Sequence, residues 1–416
     1  MSNHIVNKLI FSSLFTVLTA LSPARASWET IGPAGGNLRA MARALSNESV
    51  IYAASFTNPS HVVKSTDTGD SWTNVGMVPD LIYCLVIDPS NADIIYAGCS
   101  SRVYKSTNGG VAWNSHPVSG YNIYDLVIHP SQPLVVRAAG AVKIGIYYYL
   151  ACFSSTDGGV TWISRQLVTN KKTCGYCIAI DPANPQILYV GGSVMDSLKS
   201  PLVFWSTDGG TSFNDVSSGF TPCSTACAIA IHPTNPGIVY FTTDTGIYRS
   251  TDSGNTWINV SAYRHAYSLA TSPDEPNLVT AGADTTVYIS TDAGLSWSGS
   301  GPYLYGSEIR NVAISQTESV DICAGNNTGF FKTTDCGLSW LGSNNGMNVT
   351  VAHNFAVSRQ SPSTIYMEVN DVGEFKTSDQ GASWTMLPDF LSCGMICGFA
   401  VHNADPDTVY ALEGAG

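Results

Sequence analysis

Charge is the scarcest commodity in this 416-residue chain, at 12% of residues, about half the usual share of a globular protein. The few charges are unbalanced, with 19 Lys and Arg against 31 Asp and Glu and a net charge of −12. An acidic surface repels phosphate backbones, which argues against a nucleic-acid partner. Beyond Leu21 there is no further run of about 18 apolar residues, so no membrane span is expected in the mature chain. The signatures of catalysis are missing as well. There is no nucleophile elbow, no His-Glu-x-x-His and no glycine-rich phosphate loop, and nothing calls for a cofactor or a metal.

What is present begins with an export signal. Lys8, the apolar run Leu9 to Leu21 and Ala24-Arg25-Ala26 form the three parts of a secretory leader, residues 1–26, with cleavage after Ala26. Cleavage would remove two basic residues and take the net charge from −12 to −14. The expected location is therefore secreted or periplasmic. In such a compartment the eleven cysteines are disulfide candidates. Cys174/Cys177, Cys223/Cys227 and Cys393/Cys397 are close in sequence, Cys84 is paired with Cys99 and Cys323 with Cys336, and Cys152 is left single.

The remaining chain, residues 27–416, is dominated by one octapeptide. Ser250-Thr251-Asp252-Ser253-Gly254-Asn255-Thr256-Trp257 has counterparts at Ser65 to Trp72, Ser155 to Trp162, Ser290 to Trp297, Thr333 to Trp340 and Thr377 to Trp384. Looser copies run from Ser106 to Trp113 and from Ser206 to Phe213. The closing aromatics fall 40 to 51 residues apart, the mark of one supersecondary unit stacked many times. The chemistry of the octapeptide is that of a tight hairpin. Asp accepts bonds from its own turn, Gly supplies positive φ, and the aromatic anchors the outgoing strand. These copies resemble the Asp-box, or BNR, repeats of sialidase-type β-propellers, which also mark sortilin ectodomains, xyloglucan-cleaving hydrolases and a photosystem II assembly factor. The resemblance implies a propeller and says little about chemistry.

Each unit opens with an apolar segment that ends in a proline turn, as in Leu85-Val86-Ile87-Asp88-Pro89 and Ile229-Ala230-Ile231-His232-Pro233. A second strand, a third strand leading into the octapeptide and a fourth begun by the Trp complete a four-stranded blade. The expected fold is all-β, a single propeller of four-stranded antiparallel blades with eight complete repeats and an incomplete ninth. The ninth starts at Ile396 to His402 and stops without an octapeptide, while Ser27-Trp28-Glu29-Thr30 resembles a fourth strand with no blade before it. Either the ring closes imperfectly or the chain is a C-terminally truncated piece of a longer one. His129, His232 and His402 sit at the proline turns as turn-stabilising polar groups.

Aligning the first strands places Arg39, Tyr83, Tyr124, Tyr176, Cys227, Tyr267, Arg310, His353 and Cys397 at one register. Polar and aromatic side chains therefore collect at the entrance end of the innermost strands. Pockets combine aromatics with a few placed polar groups, so Arg39, Tyr83, Tyr124, Tyr176, Tyr267, Arg310 and His353 are the candidate ligand-binding residues. Residues 141–149, with Tyr147 to Tyr149, and 193–201 form the longest loops on that face and are expected to make a lip over the axis. The octapeptide aspartates are read as structural.

For an enzyme of this kind, the candidates are Asp244, in a Thr-Asp-Thr-Gly turn that resembles the catalytic loop of xyloglucanases, with Asp371 and Glu308. The sialidase pattern fits less well, because its Arg-Ile-Pro stretch is missing. The leading expectation is a non-enzymatic, monomeric propeller that binds a protein segment or a glycan at its axial face. Hydrolysis of a polysaccharide is the alternative.

Overall fold

The computed structural model describes residues 37–168, 172–195, 200–220, 226–261, 266–300, 304, 308–314, 321–343 and parts of 352–413. The leader, residues 1–26, and Ser27 to Thr30 lie outside them. The described residues form β-strands and turns, with no helix among them. The strands, β1 to β33, are antiparallel and follow chain order within each sheet. Four-stranded sheets are made by β1–β4 (38–78), β12–β15 (173–215), β16–β19 (226–261), β20–β23 (268–299), β24–β27 (311–342) and β28–β31 (352–386). β5–β11 (84–166) form one seven-stranded sheet, and β32–β33 (396–413) a hairpin. The seven-stranded sheet is two blades joined by a shared strand. Its β8, Asn114–His129, pairs with β7 (Ser100–Ser106) at one end and with β9 (Gln132–Ile144) at the other.

The innermost strands are β1 (Leu38–Arg43), β5 (Cys84–Asp88), the second half of β8, β12 (Thr173–Ile180), β16 (Ala226–Ile231), β20 (Ser268–Thr271) and β24 (Asn311–Ile314). Each packs against the next, and β24 packs back against β1. At this closing seam Met41 N–H donates to Asn311 Oδ1 at 3.1 Å and Leu38 N–H to the Asn326 carbonyl at 3.0 Å. Trp72 Nε1 donates to the Ser343 carbonyl at 2.9 Å, and Lys332 pairs with Asp70. The molecule is thus a β-propeller, in which the second strands of the blades, such as β2 (Ile51–Ser55), β13 (Leu188–Val194) and β17 (Val239–Thr243), are buried along their whole length because neighbouring blades cover both faces.

The repeated octapeptide explains how the blades hold together. In the copy at Ser250, Asp252 Oδ1 accepts from Ser250 Oγ (2.8 Å) and Thr256 N (2.8 Å), and Oδ2 accepts from Thr256 Oγ1 (2.7 Å). Gly254 N donates to Ser250 Oγ at 2.8 Å. The fourth and fifth residues both take positive φ, as at Ser253 (60°) and Gly254 (88°), which makes the tight reversal a hairpin with right-handed twist requires. The carbonyl of the fourth residue faces the preceding blade and is held there. Tyr96 Oη and Lys105 Nζ donate to the Gly158 carbonyl at 3.0 and 2.8 Å, and Tyr240 Oη and Arg249 Nε to that of Ala293 at 2.8 Å each. Close approach demands glycine next door: a Cβ on Gly294 would stand 2.5 Å from Tyr240 Cε1.

Two sequence-based expectations are corrected here. The ring of innermost strands closes after seven units, not after the eight or nine that the repeats suggest. The copy count is silent on where hydrogen bonding returns to the first blade. The eighth unit, β28–β31, packs on the hairpin β32–β33 through β28 (Ala352–Val357) and β32 (Ile396–Val401), outside the closed ring. The second correction concerns cysteine. Cys84, Cys99, Cys152, Cys174, Cys177, Cys323 and Cys336 are free thiols; Cys223 and Cys393 lie outside the described residues, and with them the pairs expected with Cys227 and Cys397. Cys84 pairs across the ladder with Gly98, so Cys99, one residue on, points to the opposite face of the sheet. The two thiols belong to different apolar clusters. Cys323 is buried while Cys336 is exposed in a turn.

The proline turns behave as read. His129 Nδ1 accepts from Ser131 N at 3.2 Å, and His232 Nδ1 from Asn235 N at 3.2 Å. Asp88 does the same for Ser90 N at 2.8 Å and Asp181 for Ala183 N at 2.8 Å. His402 lies outside the described residues.

Candidate functional site

The hub of the ring encloses a cavity of about 430 Å³ to which all seven innermost strands contribute. Arg39, Tyr83, Tyr124, Tyr176, Tyr267 and Arg310, with Cys227, line it, above an aliphatic layer of Met41, Leu85, Ile229, Leu269 and Val312. One register of the repeat therefore becomes one level of the hub. The phenols of three successive blades touch in sequence, with ring centroids 5.0 Å apart for Tyr83 and Tyr124 and 5.3 Å for Tyr124 and Tyr176. Asn122 Nδ2 donates to Tyr124 Oη at 2.8 Å, and Ser100 Oγ to Asn122 Oδ1 at 3.0 Å, which fixes the arc from outside.

The other side of the hub is charged. Arg310 pairs with Glu308 and stands over the Tyr267 ring at 5.6 Å. Tyr267 Oη shares its hydrogen between Asp284 Oδ1 and Glu308 Oε1, each at 3.3 Å. Arg39 lies in the field of both Arg310 and Glu308, with Tyr124 and Tyr83 nearby, and with its guanidinium over the Phe56 ring at 5.1 Å. Burial, then the neighbouring Arg310, pulls the Arg39 pKa below its ordinary value. Burial pushes Tyr124 up to about 12 and also raises Tyr176 and Tyr267, the last helped by Glu308 and Asp284. The phenols therefore stay neutral.

Asp125 also lines the cavity. Sequence reasoning passed over it, although a carboxylate inside an apolar strand, where other copies place Ala40, Cys84, Cys177 or Ala228, is a visible anomaly. Its Oδ1 accepts from Leu126 N and its Oδ2 from Ile178 N of the next blade, both at 2.9 Å. Burial outweighs these two bonds and pushes the carboxyl up to about 7. Asn311 holds the equivalent position at the closing seam, where its Oδ1 accepts from Met41 N and its Nδ2 donates to the Arg39 carbonyl at 3.2 Å. Ser268 bridges in the same way to the Ile309 carbonyl at 3.1 Å. The residue after the ring position thus ties neighbouring innermost strands together.

Of the remaining candidates, Asp244 lines the cavity and Glu308 is engaged with Arg310 and Tyr267. Asp371 lies outside the described residues. His353 stands on β28, in the sheet outside the ring, so it does not join the other ring residues; one further repeat had placed it there in the alignment. The expected lip is instead a long hairpin of β9 and β10 (Tyr147–Ser155), with Ala141 and Val142 buried. Tyr148 stacks on Tyr121 at 4.4 Å and Tyr147 lies under Lys172 at 4.4 Å. Residues 196–199 of the second loop lie outside the described residues.

No protein-family model matches the chain. A xyloglucanase of Hypocrea jecorina (strain QM6a) is 30% identical over 138 residues, a match covering 26% of this chain and only 16% of that enzyme. Among solved structures, a chain of the COPII outer coat vertex on membranes aligns with TM-score 0.55 at 13% identity, covering 82% of this chain and 98% of that one. YCF48 from Cyanidioschyzon merolae aligns with TM-score 0.52 at 12% identity, covering 74% and 98%. At such identities the structural likeness concerns the fold alone, and the fold is that of a β-propeller.

Proposed function

We propose that this is an exported, non-enzymatic propeller that binds a protein segment or a glycan end-on in the hub cavity. The observation that carries the reading is the continuous arc of Tyr83, Tyr124 and Tyr176 facing Arg39, Arg310 and Tyr267 around one concave, half-open space. Aromatic faces with a few fixed polar groups suit a ligand that is held and not transformed. The candidate carboxylate Glu308 is already committed to Arg310 and Tyr267.

The test is binding of the purified chain to glycan and peptide arrays. Tyr124→Ala with Tyr267→Ala should abolish the wild-type signal while lowering the melting temperature by no more than a few degrees. Silence of the wild type on both arrays, or equal binding by the double variant, would overturn the reading. Export is checked by mass spectrometry of the secreted chain, which should begin at Ser27.

A second reading, polysaccharide hydrolysis, is favoured by the partial identity with a xyloglucanase and by the two cavity carboxylates Asp125 and Asp244. A raised carboxyl can act as a general acid. Release of reducing ends from xyloglucan, lost in Asp125→Asn or Asp244→Asn, would establish it in place of the first.

A further inference from the structure

Where the second strand of a blade returns as the third, most turns are small and polar, as turns prefer. β17 and β18 (Gly246–Ser250) turn through Asp244-Thr245, β21 (Val279–Gly282) and β22 (Val287–Ser290) through residues 283–286, and β25 (Ile322–Gly325) and β26 (Phe330–Thr333) through Asn326-Asn327-Thr328-Gly329. β9 and β10 turn instead through Gly145 and Ile146. Counted from the Ser or Thr that opens the octapeptide, their ladder runs nine residue pairs, from Val136–Ser155 to Ile144–Tyr147, against four or five in the other three. At about 3.4 Å per pair the tip projects roughly 14 to 17 Å further than its counterparts.

This tip is apolar where it meets water. Gly145 takes φ 62° and Ile146 does not follow it to positive φ, a type II′ geometry that sets Ile146 at the apex. A Cβ on Gly145 would meet nothing within 4 Å. Ile146 is 78% exposed, Ile144 52% and Tyr147 39%, a contiguous apolar surface that a turn does not need. A collar of tyrosine and lysine surrounds it. Lys143 stands opposite Tyr148 on one face of the hairpin and Ile144 opposite Tyr147 on the other. Lys143 Nζ lies 5.8 Å from the Tyr148 ring, which packs on Tyr121, and Lys172 Nζ lies 4.4 Å from the Tyr147 ring. Among the described residues no carboxylate pairs with either lysine, although acids outnumber bases 31 to 19 in the chain. Lys171, Asp196 and Lys199 of the adjoining loops lie outside the described residues.

An aliphatic apex, then phenols, then ammonium groups is the order in which a bilayer surface presents acyl chains, headgroup interface and phosphates. Ile146 and Tyr148 are two residues apart, roughly 7 Å along the strand, within the roughly 5 to 10 Å that interfacial segments sink. Sugar rings stack on open aromatic faces, and Tyr147 and Tyr148 already have Lys172, Lys143 and Tyr121 against theirs. We infer that residues 143–149 anchor the protein to the surface of a bilayer that carries anionic lipid. Ile144 and Ile146 enter the acyl boundary, Tyr147 and Tyr148 stand at the headgroups, and Lys143 and Lys172 meet lipid phosphates. Tyr176 Oη, from the hub, donates to Met195 Sδ at 3.5 Å, and Met195 N donates to the Lys172 carbonyl at 2.8 Å, so the anchor lies on the side of the hub where Tyr176 stands. It is independent of what the hub binds.

The experiment sediments the full chain with vesicles of phosphatidylcholine alone and of phosphatidylcholine and phosphatidylglycerol in a two-to-one mixture. The wild type should pellet with the mixed vesicles and bind the zwitterionic ones more weakly. Ile146→Ser should weaken binding to the mixed vesicles at least about tenfold. Lys143→Gln with Lys172→Gln should lower it to the level seen on phosphatidylcholine alone. These side chains are exposed, so the variants should melt with the wild type. Ile146→Trp should keep the anchor and add a blue-shifted component to the emission when vesicles are present. A wild type left in the supernatant would overturn the inference, as would either variant binding like the wild type or an Ile146→Trp emission that vesicles do not shift. So would a wild type indifferent to vesicles that is dimeric in analytical ultracentrifugation and monomeric as Ile146→Ser, since the tip would then join two copies of the chain.

Discussion

Replacing Asp125 by Asn should make the propeller more stable, and by an amount that depends on pH. The carboxyl has an ordinary value of 3.8 and stands at about 7 in the folded chain. Between those values the folded state keeps a proton that the unfolded state has released. Stability therefore falls as pH rises from about 4 to about 7 and stays low above that. A gap of about three units at about 1.4 kcal/mol each sets a ceiling of about 4 kcal/mol. Asn carries no such cost, and Asn311 demonstrates the geometry available to it. One oxygen accepts from the neighbouring strand's N–H, as from Met41, and the amide donates to a carbonyl, as to Arg39. The variant should match the wild type at pH 4.5 and exceed it by about 2 to 4 kcal/mol at pH 8. Guanidinium denaturation followed by tryptophan fluorescence at pH 4.5, 6 and 8 measures the difference. A variant less stable than wild type at pH 8 would refute the reasoning, since it would mean that the Leu126 and Ile178 N–H groups hold a charged carboxylate in place.

Other outcomes follow from the same structure. Gly294→Ala must place a side chain at φ 79° and 2.5 Å from the buried Tyr240 ring. A loss of about 2 to 4 kcal/mol is expected from strain and overpacking together, measured by chemical denaturation. The octapeptide aspartates 67, 208, 292, 335 and 379 stand at about 2: desolvation, the largest single influence at Asp67, raises them, and the hydroxyl and N–H groups of their own turns together outweigh it. Their stabilisation is present above about pH 4 and disappears as pH falls toward 2, so thermal melts in that window should drop steeply. The drop should be shallower in Asp292→Asn. Burial lowers the pKa of His129 and His232, so their contribution is lost as pH falls below 6.5. His232→Asp, copying Asp88 and Asp181, should hold its stability between pH 6.5 and 5 better than the wild type.

Much of this was legible because the octapeptide is local. Its turn, its strand order and the register of the first strands depend on residues within one repeat, and the column from Arg39 to Arg310 could be aligned into one level of the hub. What depended on relations between repeats was not legible. Nothing within a unit states which unit meets the first, so the closure at Asn311 and Met41 was hidden and His353 was counted into the ring. The Cys84–Cys99 pairing failed for a similar reason. Only the register that opposes Cys84 to Gly98 tells which face Cys99 takes. The role of Asp125 was not legible for the same reason: it stands one residue after the aromatic column, and its bridging bond goes to Ile178 N–H of the next blade.

Within the ring, every blade consists of a single uninterrupted stretch of chain, and no strand is borrowed across the seam. The wheel is therefore fastened where Leu38, Met41, Trp72 and Asp70 meet Asn326, Asn311, Ser343 and Lys332, a junction made of contacts between whole sheets. Such a molecule has no privileged starting point. Joining residue 343 to residue 38 by a short tether and opening the chain between β19 (Ile258–Ser261) and β20 should give a circular permutant that reaches the same wheel. Its hub would be intact, although the order in which its sheets leave the ribosome would be rotated.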